Sequence, residues 1–150
     1  RRPLGRYVAA RGDNIPARTY GYALIALAPD VHPTAAVSSR TAIATTGDAQ
    51  IGEAVCIYGV ATGSTCSTVA AVTDTYGIIA DSISDGGDSG GPVIRASDGA
   101  LVGIVIGHSD RANSTSFQPI ADSLARMRID GEGGTSPAPI VRAGALHPVA

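Results

Sequence analysis

Apolar positions in this chain come in short runs, and turn residues separate them. Tyr22-Ala-Leu-Ile-Ala-Leu27 is a continuous apolar run bounded by Gly21 and by Ala28-Pro29-Asp30, which predicts a buried strand. Pro33, Ser38, Ser39 and Gly47 then punctuate a stretch of turns. Strand-sized segments follow at close spacing: Glu53 to Tyr58, Ser67 to Thr73, Tyr76 to Ala80, Pro92 to Arg95 and Leu101 to Ile106. Most are bounded by Gly, Asp or Ser. Short strands with such punctuation predict an all-β sandwich or barrel. Near the front, Gly5-Arg-Tyr-Val-Ala-Ala10 is a candidate edge strand.

One helix is predicted, over Pro119 to Arg128. It sets Ile120, Leu124 and Met127 on one face. Pro119 suits the first turn and Gly131 a stop. Arg126 and Arg128 then fall in the last turn, where cations suit the helix dipole. The stretch Gly131 to Pro139 reads as a flexible linker, and residues 140–150 as a tail.

Composition narrows the class. A chain of 150 residues, 44% hydrophobic, is long enough to bury one core. One domain over residues 1–130, with a linker and tail at 131–150, is the expected organisation. No uncharged apolar run approaches the roughly 18 residues needed to cross a bilayer, so no membrane span is expected. A formal charge of -2 gives no electrostatic reason to bind nucleic acid. No His, Cys, Asp or Glu set has metal-ligand spacing, and no phosphate-binding glycine loop continues into Lys-Ser/Thr. No metal and no cofactor are therefore expected. The two cysteines, Cys56 and Cys66, stand ten apart with Gly between them. They can close a local loop in an oxidising compartment, or remain as buried thiols in a reducing one.

The segment with chemistry in it is Gly86-Gly-Asp-Ser-Gly-Gly-Pro92. A nucleophilic Ser has to project from a tight turn. Flanking glycines allow unusual dihedrals and the close approach of a substrate carbonyl. Converging backbone N–H groups stabilise an oxyanion. The plain alternative is an ordinary glycine-rich loop.

With this motif the chain resembles the chymotrypsin-like serine proteases, and more closely their bacterial secreted branch. Gly52-Glu-Ala-Val-Cys56, Thr62-Gly63, Cys66 and Thr68-Val69 look like the opening hairpin of that family's second barrel, with its disulfide. Leu101-Val-Gly-Ile-Val105 looks like the strand beside the substrate cleft. Ser116-Phe-Gln-Pro-Ile120 looks like the last strand leading into the C-terminal helix. The resemblance covers about residues 20–128. It implies two antiparallel β-barrels with a cleft between them, the second complete over 46–130 and the first a remnant over 1–45. It implies Ser89 as the nucleophile and the N–H groups of Gly87 and Ser89 as the oxyanion hole. Asp88 becomes the buried carboxylate that organises that hole. Ile83, Ser84, Asp85 and Gly86 become one wall of the specificity pocket, and Ile106, Gly107 and His108 the other. A peptide or protein ligand and an extracytoplasmic location follow from the same resemblance.

The chain departs from the family pattern in five places. The family's base is a His in a Thr-Ala-x-His-Cys segment, whereas His32, His108 and His147 lack that context. Where the family has its triad Asp, before the apolar strand, this chain has Gly21. The cleft-strand position that is commonly a Ser bonding that Asp is Ile106, so a buried carboxylate there would be poorly satisfied. The Arg that bacterial relatives pair with the Asp88 position is replaced by Ile57. An unpaired buried Asp88 would have its pKa raised, unless another Arg or an N-terminal amine reached it, or the loop were not in its active form. Only 21 residues precede Tyr22, too few for a first barrel. A second chain or an N-terminal fragment is expected to complete it.

Overall fold

The structure, a computed structural model, describes residues 3–132. Its elements are β1 (Gly5–Arg11), β2 (Tyr22–Leu27), β3 (Thr45–Thr46), β4 (Ala54–Gly59), β5 (Gly63–Val72), β6 (Gly77–Ala80), β7 (Pro92–Arg95), β8 (Ala100–Ser109), β9 (Ser114–Pro119) and α1 (Ile120–Glu132). Strands β8-β7-β4-β5-β6-β9 are linked in that order, and β9 pairs back onto β8. Every step around this ring is antiparallel, so six strands close a barrel. Closure removes the liability of an unpaired edge over most of the ring, except where β8 runs past the end of its pairing with β7 at Ile104. The short β3 pairs parallel to the start of β8.

Alternation along the strands divides their side chains between two apolar clusters. Val55, Ile57, Val69, Ile79, Val93, Val102, Val105 and Phe117 fill the barrel interior. Ile94 and Leu101, their sequence neighbours, point outward and pack with Ile43 and with Ile120 of α1. Strands β7 and β8 are therefore covered on both faces, which explains why they read as unbroken apolar runs. Phe117 is the largest side chain in the interior, and Gly77 and Gly103 make room for it. A Cβ at Gly77 would sit 2.1 Å from the ring, and one at Gly103 2.4 Å. Cys56 and Cys66 are cross-strand partners on β4 and β5 and form a disulfide.

The second sheet contains β1 and β2 alone, paired antiparallel with a bulge at Val8. Here the structure corrects the sequence. The run Tyr22–Leu27 is a strand, as its pattern predicts, but it is not a buried one. Only Leu24 is buried, and Leu27 is 39% exposed. The cause is the missing cover, because one short strand and one face of α1 do not enclose it. Tyr7 is 73% exposed and Val8 43%.

The helix is also displaced from its expected position. Pro119 ends β9 rather than opening α1, and Gly131 lies inside the helix rather than stopping it. Pairing of β9 with β8 reaches Pro119, so the sheet holds that residue extended. Arg126 and Arg128 consequently lie short of the last turn, which contains no basic residue. Arg126 instead caps the ring of Tyr22 at 5.7 Å and pairs with Asp122 at 2.9 Å. The remaining linker and the tail fall outside the described residues.

Candidate functional site

The Ser89 turn is sewn to β8 by two backbone bonds. Gly90 N–H donates to Val105 O at 2.8 Å, and Val105 N–H donates to Gly91 O at 2.9 Å. Gly87 and Gly90 have φ of +109° and +90°, left-handed geometry that favours glycine on either side of the serine. The turn thereby exposes Ser89 while it buries Asp88. Ser89 Oγ donates to Ile106 O at 3.3 Å. Asp88 N–H is used by Asp85 O at 3.1 Å, whereas no described residue accepts from the N–H of Gly87 or Ser89. Two unspent donors thus flank one exposed hydroxyl.

Asp88 is 1% exposed and, among the described residues, has no cationic partner. Ala61 N–H donates to it at 2.7 Å, Thr62 N–H at 3.3 Å, Thr62 Oγ1 at 2.7 Å and Asp85 N–H at 3.0 Å. Burial pushes this carboxyl up, but the four hydrogen bonds outweigh burial and hold it below the ordinary value. The raised pKa expected from losing the Arg at Ile57 is therefore corrected, and among the described residues neither an Arg nor an amine reaches Asp88. The hairpin between β4 and β5 supplies backbone donors and one hydroxyl instead. Gly59 belongs to the same solution, because a Cβ there would stand 2.1 Å from Asp88 Oδ1. Thr62 was not read as part of this support from the sequence. Its signal was a hydroxyl residue at the tip of the disulfide-closed hairpin.

The proposed pocket wall from Ile83 to Gly86 is braced from two sides. Ile83 N–H and Ser84 Oγ both donate to Thr115 Oγ1, at 3.0 and 3.4 Å, and Thr115 Oγ1 donates to Asp81 O at 3.2 Å. Thr65 Oγ1 donates to Ile83 O at 2.8 Å. Ser84 is buried, while Asp85 and Gly86 are exposed. Of the other expected wall, Ile106 and Gly107 are half-buried and His108 is exposed. His108 Nε2 lies 3.8 Å from Asp110 Oδ1 and is not bonded to Ser89. His32 is exposed on a loop. Gly21 N–H donates to Asp13 Oδ1, and nothing among the described residues joins Gly21 to Ser89. Among the described residues no group of His, Cys, Asp and Glu gathers as a metal site, and no helix is long and apolar enough to cross a membrane.

A closed antiparallel barrel ending in a helix, with a second sheet before it, matches the chymotrypsin-like fold. It is similar to a glutamic-acid-specific serine protease described as using a histidine triad in substrate binding. That likeness has a TM-score of 0.61 and 25% identity, over 79% of this chain and 70% of the other. Cellulomonas bogoriensis chymotrypsin gives a TM-score of 0.62 at 23% identity, over 79% and 71%. A Nocardiopsis protease gives 0.52 at 22%, over 63% and 55%. Two uncharacterised Mycobacterium tuberculosis proteins, MT1863 of strain CDC 1551 / Oshkosh and Rv1815 of strain H37Rv, are each 39% identical over 87 residues. That match takes in 56% of this chain and 39% of each relative's length. No family model matches the chain.

Proposed function

We propose that this chain is the nucleophile-bearing part of a serine-protease site that binds peptides and, alone, is catalytically impaired. The observation that supports it best is the Ser89 turn, with an exposed hydroxyl, two free N–H donors beside it and Asp88 locked beneath. Ser89 is the nucleophile in this reading, and the N–H groups of Gly87 and Ser89 receive the carbonyl oxygen. Asp88 fixes the turn, and the Ile83–Gly86 and Ile106–His108 segments wall the pocket.

What the reading lacks, among the described residues, is a base. A Ser hydroxyl at neutral pH needs a proton acceptor within hydrogen-bond reach, and His32 and His108 are not bonded to Ser89. Loss of the base costs about a million-fold in turnover by the subtilisin analogy. Peptide binding survives that loss because it uses other groups. From Gly107 to Ser109, β8 is paired with β9 on one side, while its pairing with β7 stops at Ile104. The free edge beside Ser89 accepts an extended peptide as an added strand. A disulfide between β4 and β5 suits an oxidising, extracytoplasmic location.

A second reading is an active endopeptidase whose His comes from another segment or chain. It is favoured by β1 and β2, a two-stranded sheet too small to stand alone, and by the 70% of the first solved relative that this chain covers. Incubation with a defined peptide mixture, followed by mass spectrometry, separates the two. The first reading predicts retention of peptides on the immobilised chain with no cleavage above that of Ser89→Ala. Cleavage by the chain alone, absent from Ser89→Ala, contradicts it.

A further inference from the structure

On the outer face of β9, next to Gly107 of β8, lies an aromatic and cationic cluster that the proposed chemistry does not use. Tyr76, just before β6, reaches across the outer face of β9 and bonds Ser116 Oγ at 2.9 Å. Ser116 is the cross-strand partner of Gly107, so the outer faces of these two positions coincide. A Cβ at Gly107 would meet nothing within 4 Å. There is thus open space over Gly107, one residue beyond the carbonyl that accepts from Ser89. Tyr20 stacks on Tyr76, with ring centroids 5.8 Å apart. The Arg18 guanidinium lies over the same Tyr76 ring at 5.7 Å.

Arg18 is held there at a conformational cost. It is a non-glycine residue with φ of +51°, in a tight turn closed by Arg18 N–H to Ile15 O at 3.0 Å and by reciprocal bonds between Asn14 and Thr19. Such strain persists when surrounding contacts fix it, and it gathers at binding and switch sites. No carboxylate among the described residues forms an ion pair with Arg18. The charged or titratable groups around the space are Arg18, Asp13 beside Tyr20, and the His108–Asp110 pair beyond Gly107.

We propose that Gly107, Tyr76, Tyr20 and Arg18 form a side-chain subsite that selects a peptide residue bearing a carboxylate. This rests on the reading above, in which a peptide pairs with the β8 edge. Paired antiparallel, the peptide brings its C-terminal end toward Ser89, so the residue over Gly107 lies N-terminal to the bond facing the serine. Gly107 provides the floor and the two tyrosine rings the wall. The exposed cation provides the charge that distinguishes Glu from its amide.

The test is equilibrium binding of fluorescein-labelled hexapeptides to the whole chain at low salt, read by anisotropy. Glu, Gln, Lys and Ala are placed in turn at each of three successive positions. At one position Glu is expected to bind at least five-fold tighter than Gln. That ratio is expected to fall to about one in Arg18→Ala, to persist in Arg18→Lys, and to be unchanged in Arg111→Ala, a control on the exposed β8–β9 turn. Circular dichroism checks that each variant stays folded. Equal binding of Glu and Gln peptides by the unaltered chain overturns the subsite, as does a preference that survives Arg18→Ala. Absence of all peptide binding overturns it too. Cleavage of the bound peptide, seen by mass spectrometry, contradicts the impaired-enzyme reading and leaves the subsite standing.

Discussion

Asp88 shows how one residue holds the site's shape. Its carboxylate is buried, carries no counter-cation among the described residues and is nonetheless kept ionised, because four donors converge on it. Hydrogen bonds to a charged acceptor contribute about 1.5–3 kcal/mol each. Replacement Thr62→Val, which removes one donor and keeps the side-chain shape, is expected to cost about 1–3 kcal/mol in urea unfolding. The same carboxylate sets a pH dependence. Its pKa is lower folded than unfolded, so its contribution is present above the ordinary aspartate value of 3.8. It is lost as pH falls through the depressed value. Thermal unfolding from pH 6 down to pH 2 is expected to fall less steeply in Thr62→Val than in the parent chain. Parallel curves would show that the hydroxyl does not stabilise the charge. Little of this was legible beforehand. The motif around Ser89 named Asp88 as a buried carboxylate, but the backbone donors of Ala61, Thr62 and Asp85 bear no side-chain signature. What a sequence displays is the missing Arg at position 57, and the donors that replace it belong to the main chain.

Among the elements, the barrel hairpin β4–β5 ties the barrel's stability to the Ser89 turn. It bears the disulfide at Cys56 and Cys66 and presents Ala61 and Thr62 to Asp88. Double replacement of the cysteines by Ser is expected to lower stability by about 2–4 kcal/mol while leaving the far-ultraviolet circular dichroism of the barrel in place. Replacement Phe117→Ala, in the interior, is expected to cost about 3–5 kcal/mol. Strand positions were readable because short apolar runs such as Pro92 to Arg95 and Leu101 to Ile106 are bounded by Gly, Asp or Ser. The ends were not. Strand β8 runs on to Ser109 because β9 pairs with its polar extension, and α1 starts at Ile120 because the sheet claims Pro119. Long-range pairing decided both, and local periodicity contains no trace of it.

The whole molecule is uneven. The closed barrel has a filled interior, whereas β1 and β2 form a ribbon bearing Tyr7, Val8 and Leu27 on exposed positions. The Tyr22–Leu27 run misled for the same reason, since β1 alone pairs with it among the described residues. Hydrogen exchange is expected to show the amides of Val55, Ile57, Val93, Val102 and Phe117 opening only with global unfolding. Those of β1 and β2 are expected to exchange far faster. Uniform protection across both sheets would mean that the ribbon is stable on its own.

Reaction with a fluorophosphonate probe, followed by intact-mass analysis, bears most directly on Ser89. The hydroxyl is flanked by two N–H groups that no described residue uses, and no imidazole among the described residues is bonded to it. The isolated chain is therefore expected to gain no adduct above the Ser89→Ala background between pH 6 and pH 9. Stoichiometric labelling at Ser89, lost on replacing His32 or His108, would mean that this polypeptide has its own base and would contradict a catalytically impaired site.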